Sequence, residues 1–124
     1  MTRSRASAKA AGASFERLVA DAFVAGGFRF ADRRVKTGAK DTGDVGGVHL
    51  GEHRVVVEAK DYGGRLEPST WLREAAVEAE NDGALLGVVV AKRRGTRAPE
   101  DQYVLMTLGD LIALLKQGNT SRLP

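Results

Sequence analysis

The 124-residue chain contains no cysteine, which excludes disulfides and thiolate zinc sites. It also lacks any apolar run near the roughly 20 residues needed to span a bilayer. The longest such run, Ala84 to Ala91, is strand-sized. The N-terminal MTRSRASAKAAGAS is basic but no apolar segment follows it, so it does not read as a secretory signal. Internal repeats, low-complexity tracts and linkers are absent. These absences lead to the expectation of one cytoplasmic domain over residues 1–124, with no membrane partner.

What is present supports a folded domain. Hydrophobic residues at 43% and charged residues at 28% suit a globular chain and argue against disorder. The net charge of +3 is modest but unevenly placed. Arg3, Arg5 and Lys9 lie in the N-terminal segment. Arg29, Arg33, Arg34, Lys36 and Lys40 form a second group, and Lys92, Arg93, Arg94 and Arg97 a third. Such clusters suit a polyanion, nucleic acid being the commonest. They also suit solvated loops and strand edges, where Lys and Arg discourage aggregation.

Periodicity divides the chain into eight elements. Phe15, Leu18, Val19, Ala22 and Phe23 recur at helical spacing and predict a helix that starts as early as Ala6 and stops at Gly26-Gly27. Residues 1–11 then read as a basic arm. FRFADRRVK (28–36) alternates as a first strand, DVGGVHL (44–50) as a second and HRVVVEAK (53–60) as a third. Pro68-Ser69-Thr70 starts a second helix with Leu72, Ala75, Ala76 and Ala79 as its buried stripe. On that phase Glu74, Glu78, Glu80 and Asp82 form a solvated face, although Glu78 can approach from above. Trp71 reads as the helix anchor rather than a base-stacking platform. ALLGVVVAK and QYVLMTL are two more strands, Gly109 to Lys116 a closing helix, and 117–124 a tail. The order α-β-β-β-α-β-β-α predicts an α/β fold with a mixed five-stranded sheet flanked by helices.

The third strand poses the functional question. Three valines predict burial on both faces, yet the strand ends in Glu58-Ala59-Lys60, with both charges on one face. Charges in such a place must neutralise each other or serve a ligand. Asp44 opens the neighbouring strand, and Glu16 sits beside the apolar stripe of the first helix. Hard divalent cations take such carboxylates as ligands, and a nearby lysine can orient water or stabilise charge developing on phosphorus. His49 and His53 have no third ligand to make a zinc site.

The segment GDV followed by VVVEAK resembles the PD-(D/E)xK nuclease superfamily, with Gly43 in place of the proline usual before Asp44. GASFER (12–17) is similar to the G-x-x-x-E-R start of archaeal-type Holliday junction resolvases, a dimeric subgroup also found in phages. The likeness covers about residues 12–92. It implies a restriction-endonuclease-like fold and a magnesium-dependent DNA endonuclease in which manganese can substitute. Asp44, Glu58 and the Ala59 carbonyl would bind the metal, with Glu16 completing the shell. Lys60 would position the attacking water, and the products would be 5′-phosphate and 3′-hydroxyl ends. Arg33, Arg34, Lys36 and Lys40, with Arg3, Arg5 and Lys9, would contact DNA. Thr37 and Thr42 both stand where the subgroup carries a loop serine, and Asp41 competes with Asp44. The rivals are a restriction- or repair-like nuclease on duplex or single-stranded DNA, and an inactive DNA-binding protein of the same fold.

Register adds a condition. With a two-residue tip at Gly51-Glu52, regular pairing would set Asp44 opposite Ala59, facing away from Glu58 and Lys60. A common site requires a one-residue shift, through a longer tip or a bulge at Gly46-Gly47.

Overall fold

A computed structural model describes residues 3–35 and 40–120. Helix α1 (Arg5–Ala25) begins at Ser4, whose hydroxyl oxygen accepts the Ser7 N–H at 3.1 Å, and ends at Gly26. The stretch expected as a basic arm is thus largely the opening of this helix, because the cap lies upstream of its alanines. Strands β1 (Asp32–Arg33), β2 (Val45–Gly46), β3 (His49–Leu50) and β4 (His53–Lys60) follow. Then come α2 (Pro68–Asp82), β5 (Leu86–Ala91), a 3-10 turn at Pro99–Asp101, β6 (Tyr103–Leu105) and α3 (Leu108–Thr120). The expected first strand, 28–36, shrinks to two residues. Phe28 N–H turns back to Phe23 O at 2.9 Å, and the Phe28 ring meets the edges of Phe23 and His49. At the other end α3 runs on to Thr120, so residues 117–120 are helix rather than tail.

The mixed sheet has the order β1-β2-β4-β5-β6, with β3 paired to β4 and only β4–β5 parallel. The expected five strands become six because the second is interrupted. Alternation along the two central strands sorts the core. Val55, Val57, Ala59, Leu86, Val88 and Val90 pack with Phe15, Val19 and Ala20 of α1. Val89 and Ala91 pack with Trp71 and Ala75 of α2. Both faces of β4 and β5 are therefore covered, as their valine runs require. Trp71 is 2% exposed, meets Tyr62 edge-on at 5.0 Å, and anchors α2. Among the described residues no helix is long and apolar enough to cross a membrane.

The interruption sets which face of the sheet Asp44 takes. Leu50 pairs with His53 and His49 with Arg54 across a two-residue tip, and Val55 N–H bonds Val48 O at 2.9 Å. Beyond the glycines, Val45 pairs with Val57 instead of Glu58. Gly46 and Gly47 together thus oppose Val56, which is a β-bulge. Gly47 has φ +82°, and any Cβ there would strike the Phe30 carbonyl oxygen, so only glycine fits. One step beyond Val45, Asp44 falls opposite Glu58 and on its face of the sheet.

Candidate active site

The α2-facing side of β4 ends in Glu58 and Lys60, and both open onto a cleft of about 830 Å³. Asp41, Asp44, Ala59, Glu74, Glu78 and Glu16 share its walls. Asp44 is held at both ends. Its N–H donates to Val57 O at 3.0 Å, and its Oδ2 accepts the Ala59 N–H at 2.9 Å. Glu58 is 3% exposed and its Oε1 has no hydrogen-bond partner. Lys60 Nζ lies 3.1 Å from Glu74 Oε2 and 3.8 Å from Glu58 Oε2. The two charges on one face of the strand are therefore only partly neutralised by each other.

Sequence phase misplaced α2. Its buried positions are Trp71, Ala75, Glu78 and Ala79, whereas Ala76 is exposed. Of the four acids assigned to a solvated face, only Glu80 is exposed. Glu78 is 5% exposed with Oε2 unpartnered, Glu74 bonds Lys60, and Asp82 binds two arginines. Counting from Trp71 rather than Leu72 gives 71, 75, 78, 79 and 82, and that phase would have placed Glu78 inward. Carboxylate oxygens of Asp41, Glu58 and Glu78 lie within 4.8 Å of one another.

Such crowding has an electrostatic result. Burial, a hydrogen bond with Glu78 and the charge of Asp44 push Glu58 up to about 10, with Lys60 opposing only weakly. Burial and the charges of Asp41 and Asp44 push Glu78 up to about 7, against the hydrogen bond from Glu58. Burial pulls the Lys60 ammonium down, but the Glu74 hydrogen bond and the charges of Glu58 and Glu74 hold it above its ordinary value. Lys60 therefore stays charged, while the acids hold protons that a cation would displace.

The loop carrying Asp41 and Asp44 is tied to the end of α2. Asn81 Nδ2 donates to Asp41 O at 2.9 Å, and Arg34 Nη1 to Thr42 O at 2.6 Å and Asp82 Oδ1 at 3.0 Å. Arg54 Nε reaches Asp82 Oδ2 at 3.1 Å, and its Nη2 donates to Asp82 O. Burial works upward on Asp82, but the two guanidiniums outweigh it and hold the acid below the usual carboxylate range. Gly43 N–H closes a turn on Asp41 Oδ1 at 3.0 Å. With φ +101°, position 43 is closed to proline, whose ring fixes φ near −65°. The departure from the PD pattern thus follows from how this loop turns.

The remaining candidates are more dispersed. Glu16 lines the cleft but lies outside the tight acidic group, its Oε1 bound by Arg33 Nε at 3.3 Å. A second groove, of about 770 Å³, holds Lys9, Arg33 and Arg34 and shares Glu16 and Asp44 with the cleft. Arg3 reaches across to Asp61 at 3.0 Å, while Arg5 and Lys9 are exposed on α1 and Lys40 on its loop. Arg34, expected as a phosphate contact, is committed to Thr42 and Asp82. Lys36 and Thr37 lie outside the described residues.

The Mrr_cat family model, described as restriction endonuclease, matches residues 7–111. No curated protein and no solved structure matches the chain.

Proposed function

The chain belongs to the Mrr_cat restriction endonuclease family, a nuclease family of the PD-(D/E)xK type, and from that premise we propose a magnesium-dependent endonuclease selective for branched DNA. In this reading it is a Holliday junction resolvase acting as a homodimer. The observation that carries the catalytic assignment is the buried Glu58 carboxylate, unpartnered at Oε1 and flanked by Asp44 and Lys60 in an open cleft. A buried carboxylate oxygen without a partner is costly, and the neighbouring carboxylates suit a hard cation. Asp44, Glu58 and the Ala59 carbonyl would hold the ion, with Glu16 on the wall beside it. A bound magnesium or manganese supplies positive charge to the phosphate and acidifies water.

The protein's own groups do the rest. Lys60, charged and pinned between Glu58 and Glu74, orients the attacking water and offsets charge growing on the phosphate oxygens. The water oxygen bonds phosphorus, the bond to the 3′ oxygen breaks in line, and a proton reaches the leaving oxygen. A 5′-phosphate and a 3′-hydroxyl result. Lys9 and Arg33, along the adjoining groove, contact flanking phosphates.

Dimerisation is supported by α3. Leu108, Leu111, Ile112 and Leu115 recur at helical spacing and are 72, 38, 50 and 58% exposed. They follow directly on β6, an edge strand whose Val104 is also exposed. A second copy meeting this surface about a two-fold axis would set two clefts at a fixed spacing. An opened junction offers two symmetric phosphates at its crossover. A duplex matches the same spacing only by bending, at a cost of order 1–6 kcal/mol.

A second reading, a restriction-like nuclease on ordinary duplex, is favoured by the description of the matched family. The test is competition for labelled four-way junction by unlabelled junction or duplex of the same sequence, without magnesium, followed by cleavage with it. We expect duplex to compete at least tenfold less well and the junction to be cut. Equal competition would replace the resolvase with the general nuclease, and binding without any cleavage would leave an inactive DNA-binding domain.

A further inference from the structure

The geometry points to a base-stacking position at Tyr62, on which a nucleobase drawn out of its stack beside the scissile phosphate would lie. Tyr62 follows Lys60 by two residues, lines the same cleft and is 44% exposed. Its backbone is held from several sides. Asp61 Oδ1 accepts the Gly63 N–H at 3.0 Å, and Tyr62 O accepts the Arg65 N–H at 3.2 Å. Arg3 donates to Asp61 O and Oδ1, each at 3.0 Å, and Arg94 Nε to Gly63 O at 3.4 Å. Behind the ring stands the buried Trp71, in edge contact at 5.0 Å.

A residue serving only to cover Trp71 would bury its own ring, whereas nearly half of Tyr62 stays in solvent. Over the ring, 5.4 Å from its centroid, lies the Arg65 guanidinium, on a side chain 68% exposed and paired with Glu67 at 3.0 Å. A planar cation on a π face holds the place that a flat base would take, and in solvent that contact is weaker than base–aromatic stacking. A base therefore displaces Arg65 and frees its charge for a phosphate. Arg3, Arg65 and Arg94 stand around the loop against two acids, Asp61 and Glu67, so the surroundings suit a polyanion. The ligand is a purine or a pyrimidine alike, since every base offers a π face. Such a base is accessible at an opened branch point and inaccessible inside an intact duplex, so Tyr62 adds to selectivity for branched DNA.

This inference rests on the DNA-cleaving reading of the cleft, but the experiment measures binding and needs no cleavage. Full-length wild type and Tyr62→Leu are titrated, without magnesium, against a four-way junction of fixed crossover. The junction is either intact or carries one abasic residue, placed in turn at each nucleotide flanking the crossover. At one position the abasic residue should weaken wild-type binding about tenfold and leave Tyr62→Leu binding nearly unchanged. Tyr62→Phe, which keeps the ring, should follow the wild type. Thermal unfolding verifies that each variant is folded, and Tyr62→Met takes the place of Tyr62→Leu should the latter fail to fold. The lack of any such position for the wild type would overturn the proposal. So would an equal abasic cost in Tyr62→Leu or its stand-in, since that cost would belong to the DNA rather than to the ring. Junction cleavage in magnesium without this coupling would sink the stacking site and spare the nuclease, whereas coupling without cleavage would do the reverse.

Discussion

The cleft between β4 and α2 and the outer edge at β6 and α3 break the usual distribution of residues in opposite senses. At the first, carboxylates are buried with oxygens unpartnered; at the second, leucines and an isoleucine stand in solvent. A buried polar atom without a partner costs about 1–3 kcal/mol. An exposed Leu or Ile forgoes roughly 1.5–3 kcal/mol of burial. The costs are similar, and each describes what would relieve it: positive charge for the first, apolar surface for the second. The proposed function supplies each region with what it lacks, a cation in the cleft and a second copy at the outer edge.

Mutation should separate the two regions. In the cleft, Glu58→Ala is expected to lower cleavage by on the order of 10³-fold or more while DNA binding persists or tightens, since a negative charge near phosphate is lost. Lys60→Ala should lower turnover by on the order of 10²-fold and leave manganese binding largely intact. Single-turnover cleavage and ion titration read the two effects. Wild-type rates in either variant would remove that residue from the mechanism.

At the outer edge, Ile112→Asp with Leu115→Asp should yield a monomer by sedimentation without moving the cleft. Junction preference over duplex should fall from tenfold or more to near unity while weak nicking continues. A double variant that remains dimeric would place the interface elsewhere.

The third effect is a pH dependence confined to the cleft. Glu58 ionises near 4.5 in the unfolded chain and at about 10 in the folded, metal-free protein, and Glu78 at about 7. Between those limits the native state holds the extra proton, so the contribution of these two acids to stability is greatest below about pH 4.5 and falls as pH rises. The slope should approach about 1.4 kcal/mol per pH unit for each acid that is protonated only in the native state, and so be steeper below about pH 7 than above it. Glu58→Gln should flatten it, and manganese should oppose it by displacing protons. Denaturant melts at several pH values are the measurement. A metal-free protein that gained stability with rising pH would contradict the assigned burial.

The smallest effects distinguish two adjacent arginines. Arg33→Ala should flatten the log–log salt dependence of DNA affinity by about one unit, as for a single phosphate contact. Arg34→Ala should instead lower stability by about 1–2 kcal/mol, because it frees Thr42 O and Asp82.

Particular residues show what could be read in advance. The glycines at 46 and 47 announced a bulge because the hairpin tip and the facing of Asp44 could not both be regular; the structure resolves the conflict there. The charged end of β4 was visible because strand alternation needs no tertiary knowledge. Glu78 falls on the solvated face of the expected phase, with only an approach from above left to it, because a one-residue change of helix phase turns an alanine-rich helix by about 100° and alanines mark no face strongly. The ties of Asp41, Arg34 and Asp82 join segments some 40 residues apart, and no local pattern encodes them. The first strand lost most of its length to Phe28, which turned back onto α1.

The buried acids of the cleft are proposed to form a cation-dependent phosphodiester-cleaving site. Its most direct test is incubation of labelled four-way junction with wild type and Glu58→Ala, each with magnesium and with excess EDTA. Paired cuts near the crossover are expected for the wild type with magnesium, and intact junction in the other three reactions. Cleavage by wild type in EDTA, or by Glu58→Ala in magnesium at the wild-type rate, would contradict it.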